Sequence, residues 1–463
     1  MRVTKFGKAI LIGALSAGVV FGVTSCVQSF TVGFLYVTGT VTASTGDSGI
    51  ISGFKIDHNT GKLAPINGLP VPSGGANPVR AVLLSGSRFL YVLNRGVNAE
   101  GNGDCTTTDP CQGSNITQFV VGGNGILTPQ ETFFTQGINP FRLVPDSSGN
   151  FLLALDHDAP SAAACKVALG ASATSCGDVT IFQIDQTTGR LSVVQNAAVT
   201  QANCPSNLFP CPLTYFPVPA NPVDVVVATG FVLTLTAPNA QTAYPYGGGG
   251  TVWPYSYSAT SGQLTVSANS SQPLAIGQGN AIITAGGVVY VLDNEPITLP
   301  PGGTFNSSTS PITYPGQILP YTVGTGGALQ SQTGGIIPDA AGLANPIQLL
   351  VESKNKYLYV ANQGNNVTGN NNPESGIAAY FITTSPNFEL SFVAPANFGS
   401  GSGPQCIVED PSDQFIYEAN EFDSSITGTV LDPNSGQLDP LRVTSTYSLQ
   451  GPATWCLVDG RTG

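Results

Sequence analysis

Hydrolysis of an ester-like bond needs a group that takes a proton from water and a cation or donor set that meets the resulting oxyanion. Few side chains here can supply either: 463 residues hold two histidines, 15 lysines and arginines, and 27 aspartates and glutamates. His157 stands in Leu155-Asp156-His157-Asp158, between carboxylates that would raise its pKa, and Glu421 ends Tyr417-Glu418-Ala419-Asn420-Glu421. These two are the candidate bases, with Arg80 and Arg142 as the candidate charge for the oxyanion. The plainer reading is that His157 is an incidental loop histidine, and His58, in a short turn, is expected to face solvent. No Ser-His-Asp order, phosphate loop or calcium loop can be assembled from the chain.

Cysteines define a second kind of chemistry. Of nine, Cys26 stands apart near the N-terminus and eight remain. Six fall in close pairs, Cys105 with Cys111, Cys165 with Cys176, and Cys204 with Cys211. None has zinc-ligand spacing and histidine is scarce, so no metal and no cofactor are expected. Short-range disulfides in an oxidising compartment account for the pairs. By elimination Cys406 and Cys456 are left, at the starts of two late strands. Either they bond to each other or Cys406 is a free thiol. Their apparent side-chain parity is the same, which would point both the same way. The acidic balance excludes a nucleic-acid binder, which needs a basic surface to displace counterions.

The elements that must carry these residues repeat. Only 9% of residues are charged while 41% are hydrophobic, which favours many short strands over disorder. One phrase runs Asn-Pro, apolar run, tight turn, aromatic strand, Asn. It is clearest from Asn77-Pro78 to Asn94 and from Asn345-Pro346 to Asn362, with weaker copies starting at Asn139, Asn221, Asn280 and Gly403. A second phrase follows, an alternating strand, a turn and Gly-x-Leu, as at Thr60-Gly61-Lys62-Leu63. Each unit reads as four antiparallel strands, A to D. Six units are complete. The seventh is split between Phe34-Leu35-Tyr36-Val37 and the stretch from Gly451-Pro452 to Asp459. An all-β, seven-bladed β-propeller is therefore expected, its ring closed when the C-terminal strand joins the N-terminal blade. A linear solenoid is the alternative, but it has no use for complementary half-repeats.

Loop lengths then distinguish two faces. The A–B turns (Ser85-Gly86-Ser87, Ser147-Ser148-Gly149, Lys354-Asn355) are tight, as are the C–D turns. Every long insertion is a B–C or D–A loop, and all three close cysteine pairs lie in such loops. The elaborated face is the expected binding face. Around its channel mouth the start of strand A supplies Arg80, Arg142, Asp224, Gln348, Cys406 and Thr454. The end of strand B supplies Asn94, Arg95, Asp156, His157, Asp293, Glu295, Asn362 and Glu421. Such a ring could hold an anionic or polyhydroxylated ligand, or merely cap strand ends and meet channel water.

The Tyr-Val-x-Asn strands resemble surface-layer-type propeller repeats. Over almost the whole mature chain the pattern resembles the seven-bladed lactonase family, which includes 6-phosphogluconolactonase-like propellers. The local match is Gly403-Pro404-Gln405-Cys406 followed by Asn420-Glu421, where the family reads Gly-Pro-Arg-His and then Asn-Glu. Cys406 stands in place of the histidine and Gln405 in place of the arginine. The resemblance implies a lactone hydrolase or a relative that keeps only binding. A non-catalytic scaffold docking other envelope proteins is the competing expectation.

The N-terminus bears on the substrate. Arg2, Lys5 and Lys8 precede an apolar run from Ala9 to Val23, and Val23-Thr24-Ser25-Cys26 resembles the lipobox of bacterial lipoproteins. Residues 1–25 are read as a signal peptide, 26–33 as a tether acylated at Cys26, and 34–463 as the propeller. An ordinary secretory signal with an incidental cysteine is the alternative. The expected protein is exported, held to a bacterial bilayer by lipid, and monomeric. An unphosphorylated sugar lactone or related carbohydrate then fits better than a phosphorylated, cytosolic one.

Overall fold

A computed structural model describes residues 30–460, apart from 44–45, 85–87, 201–210, 239–248, 270–272, 333–334, 366–372 and 384–388. The proposed leader, the tether through residue 29 including Cys26, the turn at Ser85-Gly86-Ser87 and Cys204 lie outside the described residues. Seven antiparallel sheets form the blades of a propeller. The innermost strands are Pro78–Leu83, Ile138–Pro145, Pro222–Ala228, Gly279–Ala285, Pro346–Val351, Pro404–Glu409 and Ala453–Asp459. They touch in succession round a closed ring. The last blade joins the two ends of the chain: Thr31–Ala43 pairs with Ala453–Asp459, from Phe34 opposite Asp459 to Gly39 opposite Ala453. The split blade expected from the two half-repeats is therefore the closure.

Packing explains the repeated phrases. Strand B lies between neighbouring blades and is buried on both faces, as in Tyr357–Asn362 and Phe415–Asn420. Alternate residues serve alternate interfaces. Tyr91 and Leu93 join one interblade core while Leu90 and Val92 join the next. The strand's tyrosine then bolts its blade to the following one. Tyr91, Tyr359, Tyr417 and Tyr36 donate their hydroxyls to the carbonyls of Gly189, Gly436, Gly61 and Gly125, at 2.5, 2.9, 2.6 and 2.8 Å. Those glycines are the C–D turn glycines of the second phrase. Gly436 sits at φ 74° with its α-carbon against the ring of Tyr357, so a side chain there would meet both strain and collision. Each bolt satisfies a buried hydroxyl and contributes about 1 kcal/mol.

The Asn-Pro phrase also has a conformational cause. Asn77, Asn139, Asn221 and Asn345 all adopt left-handed φ between 49° and 58°, and Gly403 takes the same place at 74°. Asparagine and glycine tolerate that region best. The sequence placed the fourth copy at Asn280, but the structure places it at Gln278, whose carbonyl accepts from the Asn294 amide as that of Asn77 does from Arg95. Asn280 is two residues into the phrase. In the last blade Pro452 takes the Asn77 position, since its carbonyl accepts from the Thr40 amide.

The elaborated face carries a short helix, Ala162–Leu169, capped by Ser161, and a hairpin of Ile297–Leu299 with Ile312–Tyr314. Bonds Cys105–Cys111 and Cys165–Cys176 staple two of its loops, with Cα atoms 5.2 and 5.6 Å apart. Among the described residues no helix is long and apolar enough to cross a membrane. His58 is half-buried instead of solvent-facing, because its ring stacks on Phe30 at 4.4 Å.

Candidate functional site

All seven blades share one irregularity at the channel mouth. Where strand A meets the end of strand B the register slips, as when Pro78 faces Asn94 but Arg80 faces Leu93. Such bulges re-aim side chains and recur beside functional sites. The register makes Arg80, Arg142, Asp224, Ala281, Gln348, Cys406 and Trp455 equivalent. The last blade's member of this ring is thus Trp455 and not Thr454, because Pro452 stands one position earlier in the phrase than its sequence context implied.

A central cavity of about 700 Å³ opens here, its wall including Arg80, Arg142, Asp224, Gln348, Gln405 and Trp455. Asp224 links two arginines from two other blades, Arg142 Nε at 3.1 Å and Arg80 Nη2 at 3.5 Å. Its carboxylate is further fixed by the amides of Val225 (2.9 Å, to Oδ1) and Ile282 (3.0 Å, to Oδ2). The Arg80 Cζ sits over the Trp455 ring, 3.6 Å from its centroid, and the indole Nε1 donates to the Ala81 carbonyl at 3.1 Å. Burial and the nearby Arg142 charge pull the Arg80 guanidinium down to about 9, against the opposing pull of Asp224. Arg95 is lowered too, by burial first and then Arg142, so three guanidiniums share one positive arc. Arg95 Nη2 donates to the Cys105 carbonyl, which ties that arc to the stapled loop.

Opposite lies an amide and carboxylate arc. Glu421 Oε2 accepts from Gln363 Nε2 at 2.6 Å and also from Gln405 Nε2. Both glutamines line the cavity. Among the described residues Glu421 Oε1 has no hydrogen-bond donor, and Glu421 stands behind the two glutamines without itself lining the cavity. Gln348 turns its Oε1 to the Ile407 amide at 3.0 Å, bridging the fifth and sixth blades.

The two candidate bases are not brought together. His157 occupies the rim position corresponding to Arg95 and Glu421, but between the second and third blades. Its Nδ1 is 3.0 Å from Asp158 Oδ2 and its Nε2 3.2 Å from Asn221 Oδ1. Asn221 Nδ2 donates to the Pro238 carbonyl, so its oxygen faces the imidazole. Both ring nitrogens are therefore donors, the pattern of an imidazolium. The Asp158 hydrogen bond raises the His157 pKa in the same direction, against burial. Asn94 and Asn362 are buried in the sheet and do not line the cavity. Asn94 donates to the Ser73 carbonyl and to Asn115 and accepts from Ser73 Oγ at 2.6 Å, holding the D–A loop.

Cys406 is bonded to Cys456, with Cα atoms 5.8 Å apart. Their parity is opposite, which corrects the expectation from sequence. Cys406 faces Ala419, whereas Cys456 faces Val37, the residue equivalent to Glu418. The one-residue offset turns the two sulfurs toward each other between adjacent blades, and both are buried. The sequence reading missed Trp455 and the clamp formed by Gln363. The tryptophan was visible as one of only two in the chain, but Pro452 in the asparagine's place hid its position in the ring.

The fold and site together define a seven-bladed β-propeller whose central cavity is lined by polar and apolar side chains. No protein-family model matches the chain, and no curated protein matches it. Solved structures do. A candidate 6-phosphogluconolactonase from Bacteroides fragilis is 12% identical, with 94% of this chain and 99% of that one covered and a TM-score of 0.59. The periplasmic gluconolactonase of Pseudomonas aeruginosa is 15% identical over 92% of this chain and 99% of its own, with a TM-score of 0.60. A candidate 6-phosphogluconolactonase from Bacteroides uniformis is 14% identical over 92% and 99%, at 0.59. At such identities the likeness establishes the fold.

Proposed function

We propose that this protein is an exported, lipid-anchored propeller that binds a sugar lactone or related carbohydrate in its central cavity and opens the lactone. The carrying observation is one cavity with Arg80 and Arg142 on one arc and the glutamines that hold Glu421 on the other. Its volume of about 700 Å³ lies in the range of small-molecule sites. Glu421 Oε1 accepts a proton from water as the water oxygen adds to the lactone carbonyl. The tetrahedral oxyanion meets the guanidinium arc. Its collapse breaks the ring C–O bond, and the departing alkoxide takes the proton from Glu421, leaving a hydroxy acid.

Three features support export: the basic, apolar leader, Cys26, and disulfides spread through the described residues. The functional test is a hydrolysis screen of the purified protein against unphosphorylated sugar lactones, with Glu421→Gln as control. Opening of a lactone by the wild type and not by the variant is expected. Wild-type rates no higher than the variant's on every lactone would sink the hydrolytic reading. For the anchor, Cys26→Ala should release the protein from membranes, and unchanged membrane association would reject it.

A further inference from the structure

Arg80 is anomalous among the cavity cations. Its side chain is 12% exposed and makes no hydrogen bond with any described residue. One face of its guanidinium is taken by Trp455. Asp224 does not complete it, because Asp224 Oδ1 already accepts from Arg142 Nε and the Val225 amide and Oδ2 from the Ile282 amide. Arg80 waits at 3.5 Å, a charge contact without a directed bond. The cluster of Arg80, Arg142 and Asp224 therefore carries one positive charge more than it neutralises. A buried, unpaired charge is costly, and a ligand that supplies the missing charge relieves that cost. Arginine's planar fork matches a carboxylate edge in particular.

We infer that the cavity is built for the open, monoanionic sugar acid, whose carboxylate pairs with Arg80 beside Trp455, in preference to a neutral sugar. This rests on the carbohydrate-binding reading above and names the ligand's charge class. A neutral ring can accept a hydrogen bond from Arg80 but leaves the excess charge in place. A multiply charged phosphorylated acid overcompensates it. The hydroxy acid left by lactone opening thus becomes a competitive product inhibitor.

Calorimetric titration of the full protein with D-gluconate, D-glucitol and 6-phosphogluconate tests this, since the first two share a carbon skeleton and differ at the carboxylate. Gluconate should bind at least tenfold more tightly than glucitol, and 6-phosphogluconate no more tightly than gluconate. Arg80→Met should erase the gluconate preference. Asp224→Asn, a near-isosteric change that adds a second uncompensated charge, should instead raise 6-phosphogluconate affinity relative to gluconate by tenfold or more. Equal affinity for gluconate and glucitol in the wild type overturns the inference, as does an Asp224→Asn protein with an unchanged ratio. Lactone opening that persists without a gluconate preference sinks this inference alone. Absence of binding by all three, with no lactone opened, removes the carbohydrate reading with it.

Discussion

The channel mouth is built on one repeated bulge yet has two unlike arcs. In the first three blades the ring position holds Arg80, Arg142 and Asp224, a charged cluster reaching across the channel. In the fifth and sixth it holds Gln348, which bridges to the next blade's backbone, and Cys406, withdrawn into a disulfide. The second arc presents its carboxylate one step further out, on the rim, where Gln363 and Gln405 aim Glu421. His157 holds the same rim position in the first arc but spends both ring nitrogens on Asp158 and Asn221. Equivalent backbone positions have thus divided the labour. One arc carries surplus positive charge, and the other a carboxylate with one oxygen unpaired among the described residues, on a covalently clasped support.

If that contrast is right, the clasp should show the largest effect. Replacing Cys406 and Cys456 together by serine removes a link across 50 residues of sequence. The expected loss is up to about 4 kcal/mol of unfolding free energy, read by chemical denaturation. Thiol titration of the unreduced, unfolded wild type should find neither of these cysteines free. A double variant as stable as wild type would make the clasp ornamental.

Next in size is the carboxylate itself. Glu421→Gln should cost on the order of a hundredfold in lactone opening, the low end of general-base effects, and leave ligand affinity within threefold. An equal fall in kcat/KM and in affinity would recast Glu421 as a binding group.

Buried carboxyls sharpen the comparison through pH. In the first arc Asp156 and Asp178 are both raised, by burial first and, at Asp178, by the neighbouring Asp156 charge. A group raised in the folded state stabilises it fully below the unfolded pKa, and that contribution is lost as pH rises through the folded one. Stability should therefore fall from about pH 4 upward. Asp178→Asn should flatten the fall, with a gain of about 1–3 kcal/mol at pH 8 and little change at pH 4. In the second arc Glu418 is fully buried, with neither oxygen hydrogen-bonded among the described residues. It stands where Val92 and Val360 stand in other blades. Burial holds it well above the usual carboxylate range, so Glu418→Val should stabilise by about 1–3 kcal/mol. A loss of activity in that variant would reveal a role for Glu418 that its burial does not show.

The smallest effect belongs to His157. His157→Gln should change lactone opening by less than threefold and stability by less than about 1 kcal/mol, since its half-exposed ion pair with Asp158 is screened by solvent. A bell-shaped rate profile lost in this variant would return His157 to the chemistry.

Local chemistry was enough for the architecture. Left-handed asparagines before proline, tyrosines facing turn glycines and two complementary half-repeats are all short-range patterns, and together they define seven blades and the seam. The staples Cys105–Cys111 and Cys165–Cys176 were legible for the same reason, because each closes a loop of a few residues. The site was legible only as a list of polar residues at strand ends. Which of them share a cavity depends on register, and a bulge moves register by one residue, enough to turn a side chain to the other face of its strand. The last blade adds a further step, because Pro452 stands where the other blades begin the phrase, and that displacement put Trp455 under Arg80 where Thr454 had been expected and gave Cys406 and Cys456 opposite parity. Arg80 and Asp224 are 144 positions apart in the chain (224 − 80) and meet because the ring closes. No periodicity encodes that meeting. It exists only once seven inner strands, each contributing one side chain, have converged on a common axis.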